Sequence, residues 1–249
     1  MKKLIQFSIL ILLSSFASAA SRCPVFFENN TTPVVSITDQ TTEICFDQYA
    51  VLFDLTKHTA VYSAEMLTSD IVAKAKGMKR INAFHVDTAV DQAHEASLKD
   101  YVSSGYDRGH LTPFGDMATA QAGYQSFALT NMVPQVPHNN EHVWKNIEIA
   151  VRNLATKKGK LYIVTGPVNT GTPKMLNNRV PIPAYMFKAV YVPSTGEASV
   201  ILSTNQEKDQ YTIISLDQFK TMSGIDVFPG LTPAQKAAVI QLVKVSLDN

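Results

Sequence analysis

Tyr106-Asp107-Arg108-Gly109-His110-Leu111-Thr112-Pro113 sets an acid, a permanent cation and an imidazole within four residues, with a glycine that permits a tight backbone. A neutral imidazole takes a proton from water near pH 7, because its ordinary pKa lies there. A second polar series follows at Asn131, Gln135, Asn139-Asn140, Trp144, Glu148 and Arg152. The amide oxygen of Asn140 suits a hard cation such as Mg²⁺, which prefers oxygen and keeps most of its waters. Glu148 suits fixing those waters, and guanidinium groups bind phosphate oxygens in pairs. A base, a hard cation and arginines together suit phosphodiester hydrolysis, with the cation stabilising the leaving oxygen and the charge on phosphorus.

These side chains need a scaffold. Val143, Ile147, Val151 and Leu154 recur at spacings of four, four and three, which predicts a helix over Val143–Lys157. On it Glu148 and Arg152 are neighbours, four residues apart. Tyr49–Leu55 and Thr59–Met66 read as a β-hairpin across Thr56-Lys57-His58. Lys160–Val168 reads as a buried central strand, and Tyr185–Val192 with Ala198–Ser203 as two more strands about the turn Pro193–Gly196. Residues 26–42 read as an extended loop, and 70–105 as loops with a short helix near 89–101. Ser215–Ser223 reads as a short helix and Thr232–Leu247 as an amphipathic one, with Thr232 as cap ahead of Pro233. Strands and helices alternate without a βαβ rhythm, so the expected class is α+β. No glycine-rich phosphate-binding fingerprint is present in the sequence.

Met1-Lys2-Lys3, an apolar run to Leu13 and Ala17-Ser18-Ala19 have the pattern of a secretory signal peptide over residues 1–19. The run of about ten apolar residues is half of what a spanning helix needs. The expectation is an exported protein, periplasmic or secreted, with 20–249 as one domain and no membrane attachment after cleavage. The chain has 22 basic and 21 acidic residues; without residues 1–19 the balance is 20 to 21. That excludes a protein that coats nucleic acid by bulk charge. The basic residues Lys145, Arg152, Lys157, Lys158 and Lys160, with Arg108, are expected to form a local rim around the site. The two cysteines, Cys23 and Cys45, are expected to form one disulfide in an oxidising compartment.

The series D-R-G-H at Asp107–His110, followed by Asn131, Pro134, Gln135, Asn140, Trp144, Glu148 and Arg152, resembles the DNA/RNA non-specific endonuclease family with its ββα-metal (His-Me) finger. Gly115-Asp116-Met117, Val164–Pro167, Phe187-Lys188 and Gly224…Phe228-Pro229-Gly230 resemble further family landmarks, so the likeness spans roughly residues 45–235. The resemblance implies a mostly antiparallel central sheet flanked by helices. It implies cleavage of DNA and RNA to 5′-phosphate ends with Mg²⁺, or Mn²⁺ in its place. It implies His110 as general base, Asn140 as metal ligand, Glu148 holding metal-bound water, and Arg108 and Arg152 as supporting or phosphate-binding cations. Arg80 matches an upstream phosphate-binding arginine, and Asn131 and Gln135 match positions that shape the site and touch substrate. Trp144, beside the apolar face, is expected to pack rather than stack on substrate.

Two other readings compete. His138-Asn139-Asn140-Glu141-His142 spells the H-x-x-E-H of a zinc peptidase. That motif needs a helix, which Pro137, the paired asparagines and an apolar pattern starting at Val143 argue against. The second is a nucleic-acid-binding module with a dead site, against which stands the competent residue at every matched position.

Overall fold

A computed structural model describes residues 20–36 and 40–247; the signal-peptide expectation for residues 1–19 lies outside them. Among the described residues thirteen strands run along the chain. The first four are β1 (Val34–Val35), β2 (Thr41–Cys45), β3 (Ala50–Asp54) and β4 (Thr59–Thr68). The next three are β5 (Asp107–His110), β6 (Met132–Gln135) and β7 (Lys160–Val168). Then come β8 (Met175–Leu176), β9 (Val180–Pro181), β10 (Tyr185–Val192), β11 (Glu197–Thr204), β12 (Tyr211–Ile214) and β13 (Ile225–Asp226). The helices are α1 (Ser69–Ala75), α2 (Ala120–Gln125), α3 (Lys145–Lys158), α4 (Leu216–Ser223) and α5 (Pro233–Ala237).

Seven strands form one sheet in the order β12-β11-β10-β7-β4-β3-β2, every adjacent pair antiparallel. The apolar run Lys160–Val168 is its middle strand, as a run without polar alternation requires when both faces are covered. On one face α1 and α3 pack: Val151, Leu154 and Val72 join Leu67, Ile163 and Val190 in one core cluster. On the other, Phe219 of α4 with Phe26 and Phe228 packs on Ala64, Val164 and Phe187. The α+β class with a mostly antiparallel sheet is therefore observed.

Three local expectations fail for identifiable reasons. Thr232 caps a helix with Pro233 at its first position, but that helix ends at Ala237 and Ala238 is already extended. Beyond it Val243 and Val245 are buried while Gln241, Lys244 and Ser246 are exposed, so the burial has the period of an extended segment rather than a helix. The helix near 89–101 is two 3₁₀ turns, Gln92–His94 and Leu98–Tyr101. Conversely α1 lies in the expected loop region, capped by Thr68, whose hydroxyl accepts from Ile71 N at 3.2 Å. In the N-terminal stretch Thr41–Cys45 pairs with β3 as an edge strand. Cys45 on that edge forms the expected disulfide with Cys23, Cα–Cα 5.8 Å, a loop closure worth about 3 kcal/mol on the chain-entropy model.

Candidate active site

β5 and β6 form a separate two-stranded ribbon, with Asp107 opposite Gln135 and His110 opposite Met132. The chain then turns at Val136 into a helix that opens at Pro137, passes through a widened π-helical turn at Asn139–Trp144, and continues as α3. Two strands and a helix thus bring both polar series together. The pairing demands the glycine of D-R-G-H: a Cβ on Gly109 would lie 2.1 Å from Gln135 Oε1. The helix start is tied to the main sheet. Asn139 Nδ2 donates to Ser203 Oγ at 2.6 Å and Thr204 O at 2.8 Å, and Val136 N donates to Asn205 Oδ1 at 2.7 Å.

A cleft of about 720 Å³ lies where ribbon and helix meet. Arg80, Arg108, His110, Asn140, Glu148 and Arg152 all line it, so six of the eight site residues expected from sequence converge. Asn131 and Gln135 do not; both are fully buried below it. Asn131 Oδ1 accepts from Thr112 N at 3.0 Å, and its Nδ2 donates to Thr112 O at 2.8 Å and Ser126 O at 2.9 Å. Gln135 Nε2 donates to Asn139 Oδ1 at 2.5 Å. These amides shape the walls; they do not face the cleft. The basic rim also differs from expectation. It comprises Arg80, Arg108, Lys145 and Arg152. Lys157 and Lys158 stand at the far end of α3, about 20 Å along a fourteen-residue helix, and Lys158 pairs with Glu197 at 3.5 Å.

His110 is buried, and its Nε2 has no hydrogen-bond partner. Burial, with the positive charge of Arg80, pulls its pKa down to about 3, so the imidazole is neutral at physiological pH. Its backbone is clamped: Trp144 Nε1 donates to His110 O at 3.3 Å, and Lys188 Nζ donates to Leu111 O at 3.5 Å. Trp144 is 1% exposed and packs, as expected. Asn140 Nδ2 donates to Asp107 Oδ2 at 2.9 Å, which commits the amide nitrogen and leaves Oδ1 as a donor for a cation.

Beneath the cleft lies a charged layer that reasoning from sequence missed. Arg152 Nη1 donates to Asp116 Oδ1 at 2.8 Å instead of pairing with Glu148 along the helix. A Cβ on Gly115 would lie 2.8 Å from that same nitrogen. Burial lowers the affinity of Arg152 for its proton, but Asp116 and Glu148 more than offset this and the pKa rises. Glu148 is pushed up to about 7 by burial, against the pull of Arg152 and Lys188. Glu65 on β4 is 2% exposed, and burial followed by the adjacent Asp116 pushes its carboxyl well up. Lys188 on β10 is 1% exposed; its Nζ donates to Thr165 Oγ1 at 2.8 Å and lies 5.3 Å from the Trp144 ring centroid. The signal was available: a lysine and a glutamate inside strands that otherwise read as core.

The H-x-x-E-H run does lie on a helix, contrary to the expectation, because proline is well suited to a first helical position. Its rings are 5.1 Å apart, but His138 Nε2 is engaged by Asp209 Oδ1 at 2.8 Å. Among the described residues the one group of three His, Cys, Asp or Glu donors close enough to share an ion is Cys23, Glu43 and Cys45, whose sulfurs are spent in the disulfide. The zinc-peptidase reading therefore lacks a third donor.

The sequence profile of the DNA/RNA non-specific endonuclease family matches residues 28–234. The chain belongs to this family. Nuclease C1 of Cunninghamella echinulata var. echinulata is 31% identical over 213 residues, covering 79% of this chain and 84% of its own. A nuclease of Nostoc sp. is 30% identical over 205 residues, covering 75% and 73%. Mitochondrial endonuclease G of Bos taurus is 26% identical over 203 residues, covering 74% and 68%. A chain from the crystal structure of an EndoG/EndoGI complex superposes with a TM-score of 0.71 at 22% identity, over 78% of this chain and 88% of that one. That likeness places the non-specific endonuclease fold described above among solved structures. No helix among the described residues is long and apolar enough to cross a membrane.

Proposed function

We propose that residues 20–249 form one exported endonuclease domain that hydrolyses phosphodiesters of DNA and RNA with Mg²⁺, Mn²⁺ serving in its place. The observation that carries this reading is the buried, neutral His110, with an unpartnered Nε2, in a cleft rimmed by four cations. Export is supported by the pattern of residues 1–19 and by the Cys23–Cys45 disulfide, a bond of oxidising compartments.

His110 accepts the proton of the attacking water. Arg80 and Arg108 bind backbone phosphate, which carries no base information and so admits DNA and RNA alike. The donor set fits a hard cation that keeps its waters: one free amide oxygen on Asn140 and a carboxylate on Glu148, with no group of three His, Cys, Asp or Glu donors converging in the cleft among the described residues. Asn140 would ligate it and Glu148 would accept from its waters, while Arg152 opposes the burial that favours the neutral form of Glu148. When bound, the cation stabilises charge on the phosphoryl and leaving oxygens.

The test is digestion of plasmid DNA and of RNA by the mature protein, with and without chelator, beside Asn140→Ala. Cleavage of both substrates that chelator abolishes and Mg²⁺ restores is expected. Asn140→Ala should lose about 10²-fold or more in kcat, as expected on removing a group that holds charge-stabilising machinery. Full activity in chelator would refute the metal-dependent reading.

A further inference from the structure

The rings around His110 form a connected unit. Phe84 lies 5.9 Å from the imidazole centroid, and Phe127 lies 4.9 Å from it, edge-on at 82°. The two phenylalanines meet each other edge-to-face at 5.0 Å. Each also carries one arginine: Arg108 Cζ is 4.4 Å from the Phe84 centroid and Arg80 Cζ is 5.2 Å from that of Phe127. Neither arginine has a carboxylate ion-pair partner within 4.0 Å among the described residues. Arg80 spends only its Nε, on Asn82 Oδ1 at 2.8 Å.

The way a guanidinium is held decides what it can bind. A carboxylate holds it by its N–H edge, neutralises it and occupies the donors that a phosphate would need. Arg152 is held in that way by Asp116. An aromatic ring holds a guanidinium by its face, leaving both charge and N–H edges available. The two arginines at the mouth are seated by the second method, on rings that also brace the imidazole.

Resting on the nuclease reading above, we propose that Phe84 and Phe127 are positioning residues: a paired aromatic seat that fixes His110 and presents Arg108 and Arg80, unneutralised, to the phosphate backbone of the substrate. Phe127 is fully buried and its loss would disturb the core, whereas Phe84 borders the cleft and is the position to test. The alternative for Phe84 is direct stacking on a nucleobase.

The experiment measures binding of a labelled single-stranded oligonucleotide, and of an abasic strand of equal length, across a KCl series in chelator. Phe84→Leu keeps apolar bulk and removes the π face. It should weaken binding of both strands by about 2- to 5-fold and flatten the slope of log K against log salt by about 0.7, one phosphate contact on a single strand. Phe84→Trp should restore both. In an Arg108→Ala background Phe84→Leu should leave the slope unchanged, which separates seating from a general loss of fold. A loss confined to the strand that bears bases, with an unaltered slope, would overturn the proposal in favour of stacking. An unaltered affinity and slope for both strands would overturn it outright. If the unmutated protein cleaves nucleic acid in either case, the nuclease reading survives the failure of this one.

Discussion

His110→Ala is expected to lower kcat for DNA and RNA cleavage by about 10²–10⁴-fold, the range that a positioned general base supplies. The side chain is braced by Phe84 and Phe127, and its carbonyl by Trp144, so the substitution removes the imidazole while the backbone clamp stays. The low pKa of about 3 adds a test in pH. The folded value lies below the ordinary 6.5, so between those limits the unfolded chain binds a proton that the folded chain does not. The stability this group contributes is thus full above about pH 6.5 and is lost as pH falls toward 3. His110→Ala should flatten that part of the stability curve. In catalysis the imidazole stays neutral throughout the mildly acidic range, so no acid limb of kcat/KM near 6.5 should disappear with it. Glu148, raised to about 7 without a cation, is the group expected to set a limb there, and a rising Mg²⁺ concentration should move that limb down. A His110→Ala enzyme within tenfold of the parent kcat would remove His110 from the mechanism.

Asp116→Ala is expected to cost about 3 kcal/mol of stability, read from urea denaturation at pH 7.5. Asp116 is 3% exposed and Arg152 19%, with 2.8 Å between their atoms, and removing one member of a buried pair leaves the other charge stranded. The figure sits at the low end of the usual 3–5 kcal/mol for two reasons. Arg152 retains some solvent, and Glu148 stays beside it. Asp116→Asn keeps an oxygen acceptor for Arg152 and should cost less. Activity should fall in both, because an untethered Arg152 no longer fixes the field at Glu148. Stability of Asp116→Ala within 1 kcal/mol of the parent would mean that Arg152 finds another partner at no cost.

The site was more legible in the sequence than the fold around it. D-R-G-H and the Asn140-Trp144-Glu148-Arg152 spacing are local: one strand and two helical turns place them, and period and motif suffice. What was hidden is what crosses between elements. The Arg152–Asp116 pair joins residues 36 apart, and the i,i+4 spacing suggested the wrong partner, Glu148. Glu65 and Lys188 stood out as charges inside strands that read as core, but what such a charge does is explained only by its neighbours on other strands. Asn131 and Gln135 looked like substrate-binding amides, since the same polar atoms serve a buried turn equally well. The tail beyond Ala237 misled through its valines and leucines, which fit period 2 and period 3.6 about equally until the surface they cover is known.

The floor of the cleft rests on adjacent strands in the middle of the sheet: Ser63 on β4 faces Thr165 on β7, which faces Lys188 on β10. Thr112 Oγ1 donates to Ser63 Oγ at 2.9 Å, and Lys188 reaches up to Leu111, so the chain leaving His110 is moored to that row. Many enzymes keep their reactive groups on segments that open far more readily than the body. Here the row beneath the His110 imidazole lies on central strands, whose amides are expected to be among the last to exchange with solvent, so releasing the imidazole from its mooring should amount to melting the whole. Heat should find no half-dissolved, inactive but still folded form on the way: the enzyme works until it unfolds, and a refolded molecule is at once a working one.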